Sequence, residues 1–291
     1  MRPRVICWVA AGAIVAGVAA GCSRRDAHGT ATTPPTLWQD EFDGPQGASP
    51  DPGNWSAETG GSGWGNQQLQ YYTSSAATLD GDGHLVITAE PAPSGLSCWY
   101  GPCSFVSGRI TTYRRFAQRY GHFEVRMKLP AGTATWPAVW MMGTDRYSVG
   151  WPESGELDIA EHVGRDGDVV SGAAHGPGFS GGAAITGDTH VTSGDFHTYS
   201  LDWTPDEITW RIDGTQFHHV TAPDVPDWVF DKEFFVIIDL AVGGEHAGDP
   251  GPGDDAPQTL VVDYIRVTSD ALPRRLNRAA PRRTTALRTR S

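Results

Sequence analysis

The sequence predicts an all-β fold, a sandwich of antiparallel sheets, on three observations. Several short segments alternate apolar and polar residues, as a strand with one buried face must. Turn residues separate them, and the 291-residue chain holds 36 Gly and 21 Pro. Outside an apolar run at the N-terminus, no segment sustains the 3.6-residue period of an amphipathic helix.

The elements follow in chain order. Residues 85–88, 108–113 and 123–128 read as strands. So does 197–203, where Tyr199, Leu201 and Trp203 share one face. Thr204-Pro205-Asp206 turns the chain into a second alternating run, 208–212. Asp213-Gly214 then marks a hairpin into 215–220. Residues 234–240 and 260–267 complete the set. No fixed-period repeat and no long linker interrupts 37–268, and an all-β chain of this size is commonly one domain.

The flanks differ from this domain. Arg2 and Arg4 precede an apolar run that ends in small residues, so 1–21 reads as a secretion signal and not as a membrane span. Ala19-Ala20-Gly21-Cys22 is a lipoprotein-type cleavage box with Ala where Leu is usual. It points to lipidation of Cys22, and an ordinary signal with an incidental cysteine is the alternative. Residues 22–36 form a polar tether, 37–270 the folded domain, and 271–291 a basic tail with no apolar period. Cys98 and Cys103 remain in the domain. In an exported chain they are expected to pair, with two free thiols as the alternative.

The formal net charge is −12. The N-terminal 25 residues hold four arginines and the tail seven, with no acid in either. Removing these eleven from the 22 basic residues leaves eleven against all 34 acids, a balance of −23. Such a domain repels polyanions, which excludes nucleic acid and disfavours sulfated glycans as partners.

The chemistry is carried by residues 155–161, Gly-Glu-Leu-Asp-Ile-Ala-Glu. Glu156 and Asp158 share one face of a strand, and Glu161 would point to the other. One extra residue, a β-bulge, turns Glu161 back and directs Leu157 into the core. No Lys or Arg interleaves the three acids. A close pair of carboxyls, one ionised and one protonated, is what glycoside hydrolysis requires. An acidic strand on a solvated face and a site for a hard cation are alternatives that the motif alone leaves open.

The motif resembles the signature of glycoside hydrolase family 16 in its bulged, laminarinase-like form. The similarity extends to Asp40-Glu41-Phe42-Asp43-Gly44, Gly63-Trp64-Gly65-Asn66, Tyr120-Gly121-His122-Phe123-Glu124 and Trp136-Pro137-Ala138-Val139-Trp140-Met141. It continues through His175-Gly176-Pro177-Gly178, Leu240-Ala241-Val242-Gly243-Gly244 and Val262-Asp263-Tyr264, in family order over 37–268. The resemblance implies a jelly roll of two curved sheets with an open substrate cleft. It implies Glu156 as nucleophile, Glu161 as general acid/base and Asp158 between them. Asn66, Arg109 and His175 fall at family positions that bind or approach sugar. Glu41 and Asp263 fall at positions that supply ligands to a structural calcium. Trp136, Trp140 and Trp151 flank the acids and are candidate walls for sugar rings. One departure is visible: Glu245-His246-Ala247-Gly248 stands where laminarinase-like relatives continue with Trp-Pro-Gly, so one aromatic wall is expected to be absent or polar.

The expected function is retaining, endo-acting hydrolysis of β-1,3-glucan by an exported monomer. It needs no cofactor and touches membrane only through the lipid anchor. Transglycosylation and cleavage of mixed-linkage glucan on the same site are alternatives. A non-catalytic glucan-binding protein is disfavoured because all three acids are kept.

Overall fold

The computed structural model describes residues 34–269, apart from Ser193 and Pro252. The expected signal segment, Cys22, most of the tether and the tail 271–291 lie outside the described residues.

Two sheets face each other. Seven strands form one, in the spatial order Ile185–His190, Val169–His175, Glu156–Glu161, Thr135–Gly143, Phe234–Val242, Arg109–Thr111 and Ser56–Ala57. The other sheet is built around Thr215–Thr221, Glu207–Ile212, Phe196–Trp203, Gly121–Lys128, Gln258–Thr268 and Leu85–Pro91. Neighbours pair antiparallel except Gln70–Tyr72 with Phe105–Ser107. This is the predicted all-β sandwich. Among the described residues the helices are single turns in loops, such as Arg146–Val149 and Gly244–Ala247.

The alternating segments fold as their patterns dictate. Tyr199, Leu201 and Trp203 are buried together in the strand Phe196–Trp203. Ile212 pairs with Thr215, so Asp213-Gly214 forms a two-residue hairpin loop. Both loop residues take positive φ, 47° and 76°, as the turn that matches strand twist demands. The two longest strands of the seven-stranded sheet show no such alternation. Thr135–Gly143 and Phe234–Val242 are apolar almost throughout, because the core and the cleft floor both call for apolar side chains.

The core fills the space between the sheets. Val139, Met141, Leu157, Val236, Ile238 and Leu240 meet Phe123, Val125, Tyr199, Leu201, Trp210 and Ile265 there. The strand Glu156–Glu161 carries the bulge. Ala160 pairs with Val139 and Asp158 pairs with Trp140, so Ile159 has no residue opposite it. Ile159 and Ala160 both enter the core, and Glu161 returns to the face of Glu156 and Asp158. Trp210, from the facing sheet, braces the bulge: its indole N–H donates to the Asp158 carbonyl at 2.7 Å. The ring lies flush against Gly172, where a Cβ would come within 2.3 Å of it.

A disulfide joins Cys98 and Cys103. The small hairpin it closes is docked onto the segment before the strand Gln70–Tyr72. Trp99 Nε1 donates to the Gln68 carbonyl at 2.9 Å, and the Tyr100 hydroxyl donates to the Leu69 carbonyl at 2.7 Å.

The brace gives a testable expectation. Trp210→Phe keeps an aromatic ring in the core and removes the donor to Asp158. A buried acceptor left without its donor costs about 1–3 kcal/mol. The urea midpoint should fall accordingly with an unchanged slope, and turnover should fall as the bulge loosens. An unchanged midpoint would show that the hydrogen bond contributes nothing.

Candidate active site

Glu156, Asp158 and Glu161 stand on the outer face of the seven-stranded sheet, at the floor of a cleft of about 460 Å³. The next strand lines it with Trp136, Ala138, Trp140 and Met142, whose intervening residues face the core. Trp151 and Arg146 stand at one rim, and Trp64, Asn66 and Gln68 at another.

Two ring N–H groups face the three acids. Trp136 Nε1 donates to Glu161 Oε1 at 3.0 Å. His175 lies directly opposite Glu156 on the neighbouring strand. Its Nδ1 accepts the Gly181 backbone N–H at 3.2 Å, so the ring carries its proton on Nε2. That atom is 2.9 Å from Asp158 Oδ2 and 3.6 Å from Glu156 Oε1. The Asp158 contact is close but not aligned as a hydrogen bond, and Oδ2 is otherwise buried without a partner. Glu156, Asp158 and His175 bring ligand atoms within 4.8 Å of one another. That set could take a cation, but here the imidazole N–H occupies the space between the carboxylates.

Arg109 is held on four sides. Its guanidinium lies 4.9 Å from the Trp64 ring centre and 4.8 Å from that of Trp140. It donates to Glu58 and, at 2.9 Å, to Asp239. Trp140 Nε1 donates to the same Asp239 oxygen at 3.1 Å. Trp140 is therefore oriented by a carboxylate as well as by packing. Asp239 was not anticipated from the sequence, although a lone acid inside Phe-Phe-Val-Ile-Ile-Asp-Leu-Ala-Val is a visible anomaly. Glu58, Trp64 and Gln68 were also not anticipated as contributors.

The rim carrying Asn66 depends on glycine. Gly63 and Gly65 take φ of 83° and 92°, flanking Trp64 at 48°, a region that side chains disfavour. Gly244 packs on this loop, and a Cβ there would lie 2.4 Å from the Asn66 carbonyl. The Glu245 N–H donates to that carbonyl at 2.8 Å. At the departure from the family pattern, the His246 ring stands 4.5 Å from the Trp136 ring. An imidazole thus packs beside Trp136 where relatives carry an aromatic wall.

The electrostatics follow from crowding. Among the described residues no Lys or Arg pairs with Glu156, Asp158 or Glu161. Burial is the main force raising all three carboxyl pKa values. Asp158 adds to the rise at Glu156 and Glu161, and Asp239 to that at Asp158. Glu161 is pushed up to about 8, with His175 and the Trp136 N–H opposing the rise. Asp239 is raised to about 6 by burial, against the pull of Arg109 and Trp140. Glu156 and Asp158 titrate as one set, in which ionising one acid raises the proton affinity of the other.

The side chains of Glu41 and Asp263, where a calcium was expected, each have an arginine partner. Arg266 forks onto both oxygens of Glu41 at 2.7 and 2.6 Å, and Arg126 pairs with Asp263. Each carboxylate thus has a guanidinium to balance its charge.

Comparison with known proteins places these features in a wider set. The family model "Glycosyl hydrolases family 16" matches residues 63–264. A beta-glucanase of Rhodothermus marinus is 38% identical over 276 residues, covering 88% of this chain and 93% of its own. A glucan endo-1,3-beta-glucosidase of Cryptopygus antarcticus is 37% identical, covering 79% and 90%. The laminarinase catalytic domain of Thermotoga maritima superposes with a TM-score of 0.77 at 40% identity, over 82% of this chain and 99% of that one.

The raised Glu161 pKa has a consequence for stability. Its ordinary value is 4.5 and its folded value about 8. Above pH 4.5 the unfolded chain has released this proton while the native protein still holds it, so stability falls as pH rises to about 8. Glu161→Gln has no proton to release. The variant should melt above wild type at pH 7 to 8, with the gap closing below pH 4. Parallel melting curves of the two proteins across this range would contradict the shift.

Proposed function

The chain belongs to glycosyl hydrolases family 16, and we infer that it is an endo-acting β-1,3-glucanase that cleaves with retention. The observation that carries this reading is the bulged strand itself. It sets Glu156, Asp158 and Glu161 side by side on the floor of an open, tryptophan-lined cleft. An open groove admits the interior of a polymer, and the chemistry calls for no cofactor.

In this reading the Glu156 carboxylate attacks the anomeric carbon, and Glu161 gives its proton to the departing glycosidic oxygen. A covalent glycosyl-enzyme results, with the bond to the leaving sugar broken. Glu161, now ionised, takes a proton from water, which attacks the same carbon and releases Glu156. Burial raises Glu156, Asp158 and Glu161 alike, so the site retains protons at neutral pH, as the first step needs, and the roles are divided by position on the strand and not by these shifts. The His175 N–H lies against Glu156 and Asp158 and stabilises the negative charge that Glu156 must carry. The sugar over the acids rests on Trp136 and Trp140, with Asn66 and Arg109 toward its hydroxyls and Trp151 at the rim. The reading includes export, and the Cys98–Cys103 disulfide supports it because such bonds persist in oxidising compartments. Lipidation at Cys22 belongs to the same proposal.

The test is to incubate the protein with laminarin, curdlan, lichenan and agarose and follow the products by proton NMR. Laminarin and curdlan should give internal cleavage products that are first seen as β-anomers. First products in the α-form would mean inversion and remove the covalent step. Cleavage confined to agarose or lichenan would overturn the substrate assignment.

A further inference from the structure

Beside the cleft, a short surface segment exposes Trp151 at the rim together with Tyr147 and Val149, which the catalytic reading leaves without a task. Tyr147, Val149 and Trp151 are 63%, 47% and 46% exposed, three of the five large hydrophobic side chains so exposed among the described residues. They fall within five positions, on and just after the helix Arg146–Val149. That helix buries none of its own residues, so no apolar face of its own holds it in place. It is held through its ends. Lys232 Nζ donates to Asp145 at 2.8 Å and to the Glu153 carbonyl at 3.4 Å. Gly143 lies so close to the Ser154 carbonyl that a Cβ would approach within 2.1 Å of it. Single exposed apolar residues are ordinary, whereas a contiguous group at the rim of a cleft marks a binding surface.

The group is continuous with the cleft. Trp151 and Arg146 line it. The Arg146 guanidinium lies 5.1 Å from the centre of the Tyr147 ring. The Tyr147 ring stands 5.0 Å from that of Tyr113, which rests at 5.0 Å on Phe235. Phe235 lies in the strand that carries Asp239, so the shelf has a firm base. Aromatic rings with an open face receive the C–H face of a pyranose, and phenol and guanidinium groups at their edges meet its hydroxyls.

We propose that Tyr147, supported by Tyr113 and Arg146, is a distal glucosyl-binding shelf that takes further units of the same glucan chain beyond those held over the acids. The proposal rests on the functional reading above. The shelf favours long chains over short ones and acts on binding, not on bond cleavage.

The test compares wild type, Tyr147→Ala and Tyr147→Phe on β-1,3-linked gluco-oligosaccharides of increasing length and on laminarin. Tyr147 is largely exposed, so equal melting temperatures should establish that both variants fold. Tyr147→Ala should match wild type on the shortest cleaved oligosaccharide. On the longest chains it should lose about three- to tenfold in kcat/KM, through KM. Tyr147→Phe, which keeps the ring, should stay near wild type. The same length dependence in wild type and Tyr147→Ala overturns the shelf, as does an equal loss at every length. If wild type cleaves no β-1,3-glucan of any length, the functional reading fails and the shelf falls with it.

Discussion

Glu161 faces the cleft because Ile159 is one residue more than the neighbouring strand can pair with. A regular strand from Glu156 would send its fifth successor toward the core, where an unpaired carboxyl is expensive to bury. The extra residue converts that conflict into a site. It lets Leu157, Ile159 and Ala160 fill the core while three carboxyls share the opposite surface. A bulge also disrupts the local hydrogen-bond ladder, and here a tryptophan from the facing sheet donates to the strand at that point. The catalytic face and the core are thereby coupled through one indole.

The second constraint is charge. Four acids, counting Asp239, crowd the cleft floor, and its guanidinium Arg109 is engaged by Glu58 and Asp239. The three motif acids therefore have ring N–H groups, and no Lys or Arg, as their close neighbours among the described residues. Trp136 serves Glu161, and His175 serves the pair Glu156 and Asp158. This arrangement keeps at least one proton in the site near neutral pH, which is the condition for general acid catalysis. Asp239 contributes twice, by fixing Trp140 and Arg109 and by raising the proton affinity of Asp158.

Much of this was legible in the sequence where a single face is buried. The alternation of Tyr199, Leu201 and Trp203, the hairpin at Asp213-Gly214 and the bulge implied by the spacing of three acids all follow from strand geometry. The strand Thr135–Gly143 was visible only through its resemblance to a family, because a strand with apolar side chains toward both core and cleft loses its period. Asp239 escaped notice for a related reason: nothing local reveals that its partner is Arg109, 130 positions away. Glu41 and Asp263 could be matched by position, but nothing local reveals their arginine partners, Arg266 and Arg126.

The central claim is that two carboxyls on one bulged strand divide the work, Glu156 forming the covalent bond and Glu161 moving the proton. Azide rescue tests this most directly, with an activated β-glucoside as substrate. A good leaving group needs no proton, so Glu161→Ala should form the glycosyl-enzyme and then stall for want of a base. Azide needs no base, and it should restore turnover and yield a β-glycosyl azide. Rescue of Glu156→Ala to an α-glycosyl azide, with no rescue of Glu161→Ala, would contradict the account.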